Sequence, residues 1–132
     1  MPAPFILRRW TANVLTVDRD AYLAYVHETA GKQYPSMRGN LGYLIGAMDL
    51  PSGVTRITAE SYWESTQCIR EFAGEQYERA VYHPRDREFL MSLPEHVEHF
   101  VVPGAMFSAI RLAESEARGP HPDRPPTSGR SL

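Results

Sequence analysis

The sequence predicts an α+β domain with elements in the order β-α-β-β-α-β. Three observations carry this. The chain opens on Phe5–Leu15, a run dense in residues that suit a strand. Val54–Trp63 alternates strictly, with Ile57, Ala59, Ser61 and Trp63 on one face and Thr58, Glu60, Tyr62 and Glu64 on the other. Two segments between the strand-like runs instead place apolar residues at helical spacing. The length of 132 residues favours one domain, and 42% hydrophobic with 23% charged residues is an ordinary globular balance.

The elements follow in order. After the first strand, Thr16 or Asp18 can cap a helix in which Tyr22, Tyr25, Val26 and Thr29 share one face. Gly31 is the expected stop of that helix. A polar connection leads to a second strand, Leu41–Met48, and Leu50-Pro-Ser-Gly53 is the turn that makes a hairpin with Val54–Trp63. Ser65 caps a second helix carrying Ile69, Phe72 and Ala73, and Gly74 ends it. His83-Pro84 opens a third helical piece, with Asp86 and Glu88 in its first turn and Phe89, Leu90 and Leu93 facing inward until Pro94. His96–Val102 is the fourth strand.

This order is the ferredoxin-like pattern. Both main helices then pack on one face of the sheet, and the bare face is expected to meet that of a second copy in a homodimer. The folded domain spans residues 1–112. The tail from Ala113, with four prolines, no aromatic residue and acids balanced by arginines, is expected to be flexible. A net charge of −2 argues against a nucleic-acid partner. No apolar run approaches the ~18 residues of a membrane helix. The N-terminus lacks the apolar stretch of a signal peptide, so the expected compartment is cytoplasmic. One cysteine, Cys68, excludes an internal disulfide and the four-cysteine zinc sites, and it reads as a small core residue.

Ser61-Tyr-Trp-Glu-Ser65, Ile69-Arg-Glu-Phe-Ala-Gly74, Ala80-Val-Tyr-His-Pro84, Phe89-Leu90 and Val97-Glu-His-Phe100 together resemble the antibiotic biosynthesis monooxygenase (ABM) family. Ala21-Tyr-Leu-Ala-Tyr25 and Arg38-Gly-Asn40-Leu-Gly42 are similar to one bacterial branch of it. The resemblance covers about residues 5–102 and implies a dimeric α+β barrel. It further implies that Trp63 lines the site, as the tryptophan of the family's W-E-S motif does. Two positions depart from the cofactor-independent oxygenases: Ala59 replaces an asparagine and His83 stands near an expected arginine. In the haem-degrading branch, His83 falls near the axial histidine and Asn13 near a required first-strand asparagine. Pro84, directly after His83, disfavours the α-helical backbone such a histidine usually has.

The candidate catalytic residues are His83, His99 and Trp63. His99 lies on the Val97/His99/Val101 face of the fourth strand. Tyr82, Tyr62, Tyr43, Arg9 and Asn13 are candidate substrate contacts. Arg8 and Arg9 point to opposite faces of the first strand, so one of them must enter the interior, where an arginine needs partners. His83, His96 and His99 do not make a metal set, because residues three apart on a strand face opposite ways.

The expected function is a small-molecule enzyme of secondary metabolism acting on a small aromatic, phenolic, quinol or polyketide-like substrate. A histidine would remove a proton, and the electron-rich anion would react with O₂ without a cofactor. A cofactor-free cyclase, isomerase or dehydratase, a haem-binding or haem-degrading protein using His83, and a non-catalytic ligand binder are the alternatives.

Overall fold

The computed structural model describes residues 2–112. The tail from Ala113, and His121 within it, lie outside the described residues. Four strands form one antiparallel sheet: β1 (Phe5–Leu15), β2 (Asn40–Leu50), β3 (Val54–Trp63) and β4 (Glu98–Val102). Their order is β2-β3-β1-β4, with β1 and β3 central. Helices α1 (Arg19–Glu28) and α2 (Ala30–Ser36) join β1 to β2; α3 (Thr66–Ala73) and the short α4 (Asp86–Phe89) join β3 to β4. The arrangement is ferredoxin-like, the topology expected from the order of the elements in the sequence.

The alternation in β3 decides which face is the core. Thr55, Ile57, Ala59, Ser61 and Trp63 are buried, while the intervening residues are half-buried or exposed. Pairing carries that choice across the sheet: Arg8, Trp10, Ala12 and Val14 face Ser61, Ala59, Ile57 and Thr55. Two apolar clusters fill the space under the helices. One joins Val14 and Ile57 to Tyr22 and Val26 of α1, and the other joins Trp63 to Tyr34, Cys68 and Ile69. Ser61 is a polar residue in the second cluster, and the Trp63 indole N–H donates to its hydroxyl at 2.8 Å. None of the described helices covers the opposite face. Leu7, Thr11, Leu44 and Thr58 are half-buried there, and Met48 and Phe100 are exposed.

Several element ends differ from the sequence expectation. Gly31 does not stop the first helix. Thr29 breaks the regular turn and helix resumes as α2, with Gly31 buried inside it and Pro35 in its last turn. Pro35 has no N–H for the carbonyl of Gly31 four residues back. The Tyr43 hydroxyl donates to that carbonyl instead, at 3.2 Å, so a strand side chain replaces the missing helical bond. Asp18 stands at the N-cap of α1 but its side chain makes no capping bond, and Thr16 spends its hydroxyl on Thr55. Ser65 caps α3 as expected, accepting from the Cys68 N–H, and Gly74 ends it at φ +93°. The third helical piece is one turn only, starting after Pro84. Leu90 is buried there, but Leu93 is exposed, because the helix that would have turned it inward has already ended. β4 begins at Glu98; His96 makes an isolated bridge with Arg79.

Gly39 holds the entry to β2 against α3. Its φ is +81°, and a Cβ there would fall 2.2 Å from the Cys68 sulfur. Gly39→Ala should therefore destabilise the fold by about 2–4 kcal/mol through left-handed strain and overlap together. Denaturant unfolding checks this, and Cys68→Ala in the same chain should recover part of the loss by removing the nearer clash.

Candidate functional site

A cavity of about 50 Å³ lies between the sheet and the helices. Its sheet wall is Arg8, Trp10 and Ala59. Its helix wall includes Tyr22 and Tyr34, and the connection before β4 closes it with Tyr82, His83 and Asp86. This room suits a few water molecules. A ring-sized ligand has to displace part of the wall.

His83 and Asp86 arise from one tight turn. The Asp86 carboxylate accepts the backbone N–H of His83 at 2.6 Å and the Tyr22 hydroxyl at 3.0 Å. The same carboxylate stands 4.0 Å from His83 Nδ1. His83 Nε2 lies 3.1 Å from the Gln33 side-chain oxygen of α2. That oxygen can only accept, so Nε2 carries the proton in this contact and Nδ1 faces the carboxylate. Burial, and then Asp86, raise the Tyr22 hydroxyl far above the ordinary tyrosine value, so it remains a donor. The Trp10 indole donates to the Tyr82 hydroxyl at 3.2 Å, and that hydroxyl donates to the carbonyl of Pro94. Burial raises the Tyr82 hydroxyl as well.

Arg8 enters the interior, and Arg9 does not. Arg8 is 4% exposed and stands under the Phe72 ring. Its guanidinium donates to the carbonyls of Tyr77 and Arg79 and to His99 Nε2, the last at 3.1 Å. Burial lowers its pKa to about 10, which leaves it cationic at neutral pH. Guanidinium is a donor only, so Nε2 of His99 must be the bare nitrogen, with the ring proton on Nδ1. Burial first, and then the neighbouring Arg8, hold the His99 pKa below the ordinary histidine value.

Of the sequence candidates, His83 and Tyr82 line the cavity together. Trp63 does not; it is wholly buried in the core beside it. His99 sits behind Arg8 as its partner. Tyr43 has its hydroxyl committed to Gly31. Arg9, Asn13 and Tyr62 lie on the opposite face of the sheet, where Arg9 pairs with Glu60 at 2.8 Å and stacks on Phe100. Tyr62 there borders a separate apolar hollow of about 220 Å³ with Phe5, Leu41 and Phe107. The sequence offers no site signal for Trp10, Tyr22, Gln33 and Asp86, and it leaves Arg8 and Arg9 as alternatives for the interior arginine. For Arg8 a signal existed: it shares parity with Trp10, Ala12 and Val14, whereas Arg9 shares parity with Thr11 and Asn13.

No protein-family model and no curated protein matches the chain. Solved structures do. A protein from Bacillus cereus named as a candidate antibiotic biosynthesis monooxygenase is 13% identical, with a TM-score of 0.47 over 85% of this chain and 100% of its own. A dimeric ferredoxin-like protein from an uncultured marine organism is 16% identical, with a TM-score of 0.48 over 76% of this chain and 96% of its own. At these values the likeness transfers neither a reaction nor an assembly. No group of three potential metal ligands occurs among the described residues, and no helix of the described residues is long and apolar enough to cross a membrane.

The His99–Arg8 contact gives a pH test. Protonating His99 would set two cations 3.1 Å apart. The unfolded chain binds that proton more readily than the native one. The stabilisation is therefore full above about pH 6.5 and is lost as pH falls through the depressed native value. Thermal unfolding from pH 7 to pH 5 should show this fall, and His99→Gln, which cannot titrate, should flatten it relative to the unaltered chain.

Proposed function

We propose that the chain is a small-molecule enzyme that removes a proton from a phenolic, quinol or enolisable compound bound between the sheet and the helices. His83 is the base. The observation that supports this is the placing of His83 in the cavity wall with a carboxylate 4.0 Å from Nδ1 and a hydrogen-bonding amide at Nε2. With Nε2 donating to Gln33, Nδ1 carries the lone pair that takes the proton, and the Asp86 carboxylate 4.0 Å away stabilises the imidazolium that forms. Arg8 lines the same cavity and gives one of its walls a positive charge. The substrate anion then reacts directly with O₂, as the resemblance to the monooxygenase family suggests, or rearranges without it. Neither course calls for a flavin or a metal.

Haem does not fit this site. Nε2 of His83, the nitrogen that would ligate the iron, carries the proton it donates to Gln33.

His83→Ala should lower turnover on a panel of phenols and quinols by about 10²–10⁴-fold, the usual worth of a general base, while the thermal transition stays in place. Oxygen uptake and product analysis read this. Full activity in that variant would remove His83 as the base.

We propose also that two chains pack bare face to bare face. Among the described residues, no layer covers the sheet face on which Met48 and Phe100 are exposed and Leu7 and Leu44 half-buried. Sedimentation should give twice the chain mass, and Phe100→Glu should shift it toward the monomer. A monomer at all concentrations for the unaltered chain would refute this assembly.

A further inference from the structure

We propose that the cavity recognises the carboxylate of a small organic acid, with Arg8 as the recognising group. The inference deepens the reading of this cavity as a substrate site by naming the substrate's charged end. Arg8 is nearly wholly buried, yet among the described residues no Asp or Glu oxygen lies within ion-pair distance of it. Its three hydrogen-bond partners are two backbone carbonyls and a neutral imidazole. A buried cation without a counter-charge carries an uncompensated desolvation cost. An anion brought into the adjoining cavity would offset that cost, and the cavity reaches Arg8.

The donor count gives the shape of the anion. Nη1 makes two of the three bonds and Nη2 one. Of the five N–H donors of a guanidinium, the Nε donor and one on Nη2 remain. Two coplanar donors suit a carboxylate better than a tetrahedral oxyanion. The other charged group of the cavity, Asp86, has its carboxylate engaged by Tyr22 and the His83 N–H and does not reach Arg8 as a partner. The substrate so defined carries a carboxylate at the Arg8 end and the ionising group toward His83.

The chain holds two tryptophans, and they report separately. Trp10 lines the cavity, while Trp63 is bonded to Ser61 in the core. Acetate titrated into the full-length ¹⁵N-labelled chain should shift the Trp10 indole N–H signal saturably and leave that of Trp63 in place. Acetamide, of nearly the same shape without the charge, should bind at least about tenfold more weakly, as should inorganic phosphate. Arg8→Lys keeps a cation and loses the planar fork, and it should weaken acetate by about tenfold to a hundredfold. Equal binding of acetate and acetamide, phosphate binding as tightly as acetate, or no saturable shift at Trp10 would overturn the proposal, and these comparisons use the unaltered chain. His83→Ala should retain acetate binding. Acetate binding by a chain that turns over no phenol or quinol, with or without a carboxylate, would sink the enzyme reading and leave the carboxylate site standing.

Discussion

A buried guanidinium is the constraint on which much of this structure depends. Arg8 sits on a central strand with its charge inside, and it donates to the backbone of a segment far along the chain. The carbonyls of Tyr77 and Arg79 belong to the connection between α3 and β4, which holds little regular structure of its own. That connection is otherwise pinned by single contacts. Ala80 N–H reaches Glu95, Val97 N–H reaches Glu78, and Met91 N–H reaches Asn13 on β1. Arg8 joins these in tying the loop to the sheet. Because the loop also carries Tyr82, His83 and Asp86, the bond that satisfies the cation helps set the position of the candidate site.

The same device explains why the histidines take different parts. His99 is the ring that Arg8 needs as an acceptor, so it stays neutral and its Nε2 is occupied. His83 lies at the start of a turn that Asp86 closes by accepting its N–H, and the turn leaves the imidazole between a carboxylate and an amide. A proton can be taken and returned at such a ring with little rearrangement. The aromatic residues around it serve order. The Tyr22 hydroxyl donates to Asp86, the Tyr82 hydroxyl both accepts from Trp10 and donates to Pro94, and Tyr43 fills the gap that Pro35 opens in α2.

The two faces of the sheet divide the remaining polar residues. Arg9 and Glu60 pair on the side that no described helix covers, and Tyr62 donates to the same Glu60. Burial, and then Glu60, push the Tyr62 hydroxyl up to about 12. These residues belong to the sheet face that no described α-helix covers. A strand offers the residue types for a site on both faces at once, and only the packing of helices distinguishes them.

The sequence by itself determined the order of elements, the bounds of β1 and β3, the buried parity of β3 and the capping of α3 by Ser65 and Gly74. These follow from periodicity, side-chain size and local hydrogen bonding, each of which acts over a few residues. It also brought His83 forward through the family resemblance, and Tyr82 as one of three tyrosines able to hold a phenolic compound. Only the tertiary structure decided that Arg8 finds its acceptors in the connection before β4, that Tyr43 serves a helix, and that Gln33 reaches His83 and Tyr22 reaches Asp86. Those facts rest on contacts between residues 50 or more positions apart, as for Gln33 with His83 and Tyr22 with Asp86, or on a proline's missing N–H being met from another element. Local propensity carries no term for either, because the partner's position is fixed by the packing of the sheet against its helices.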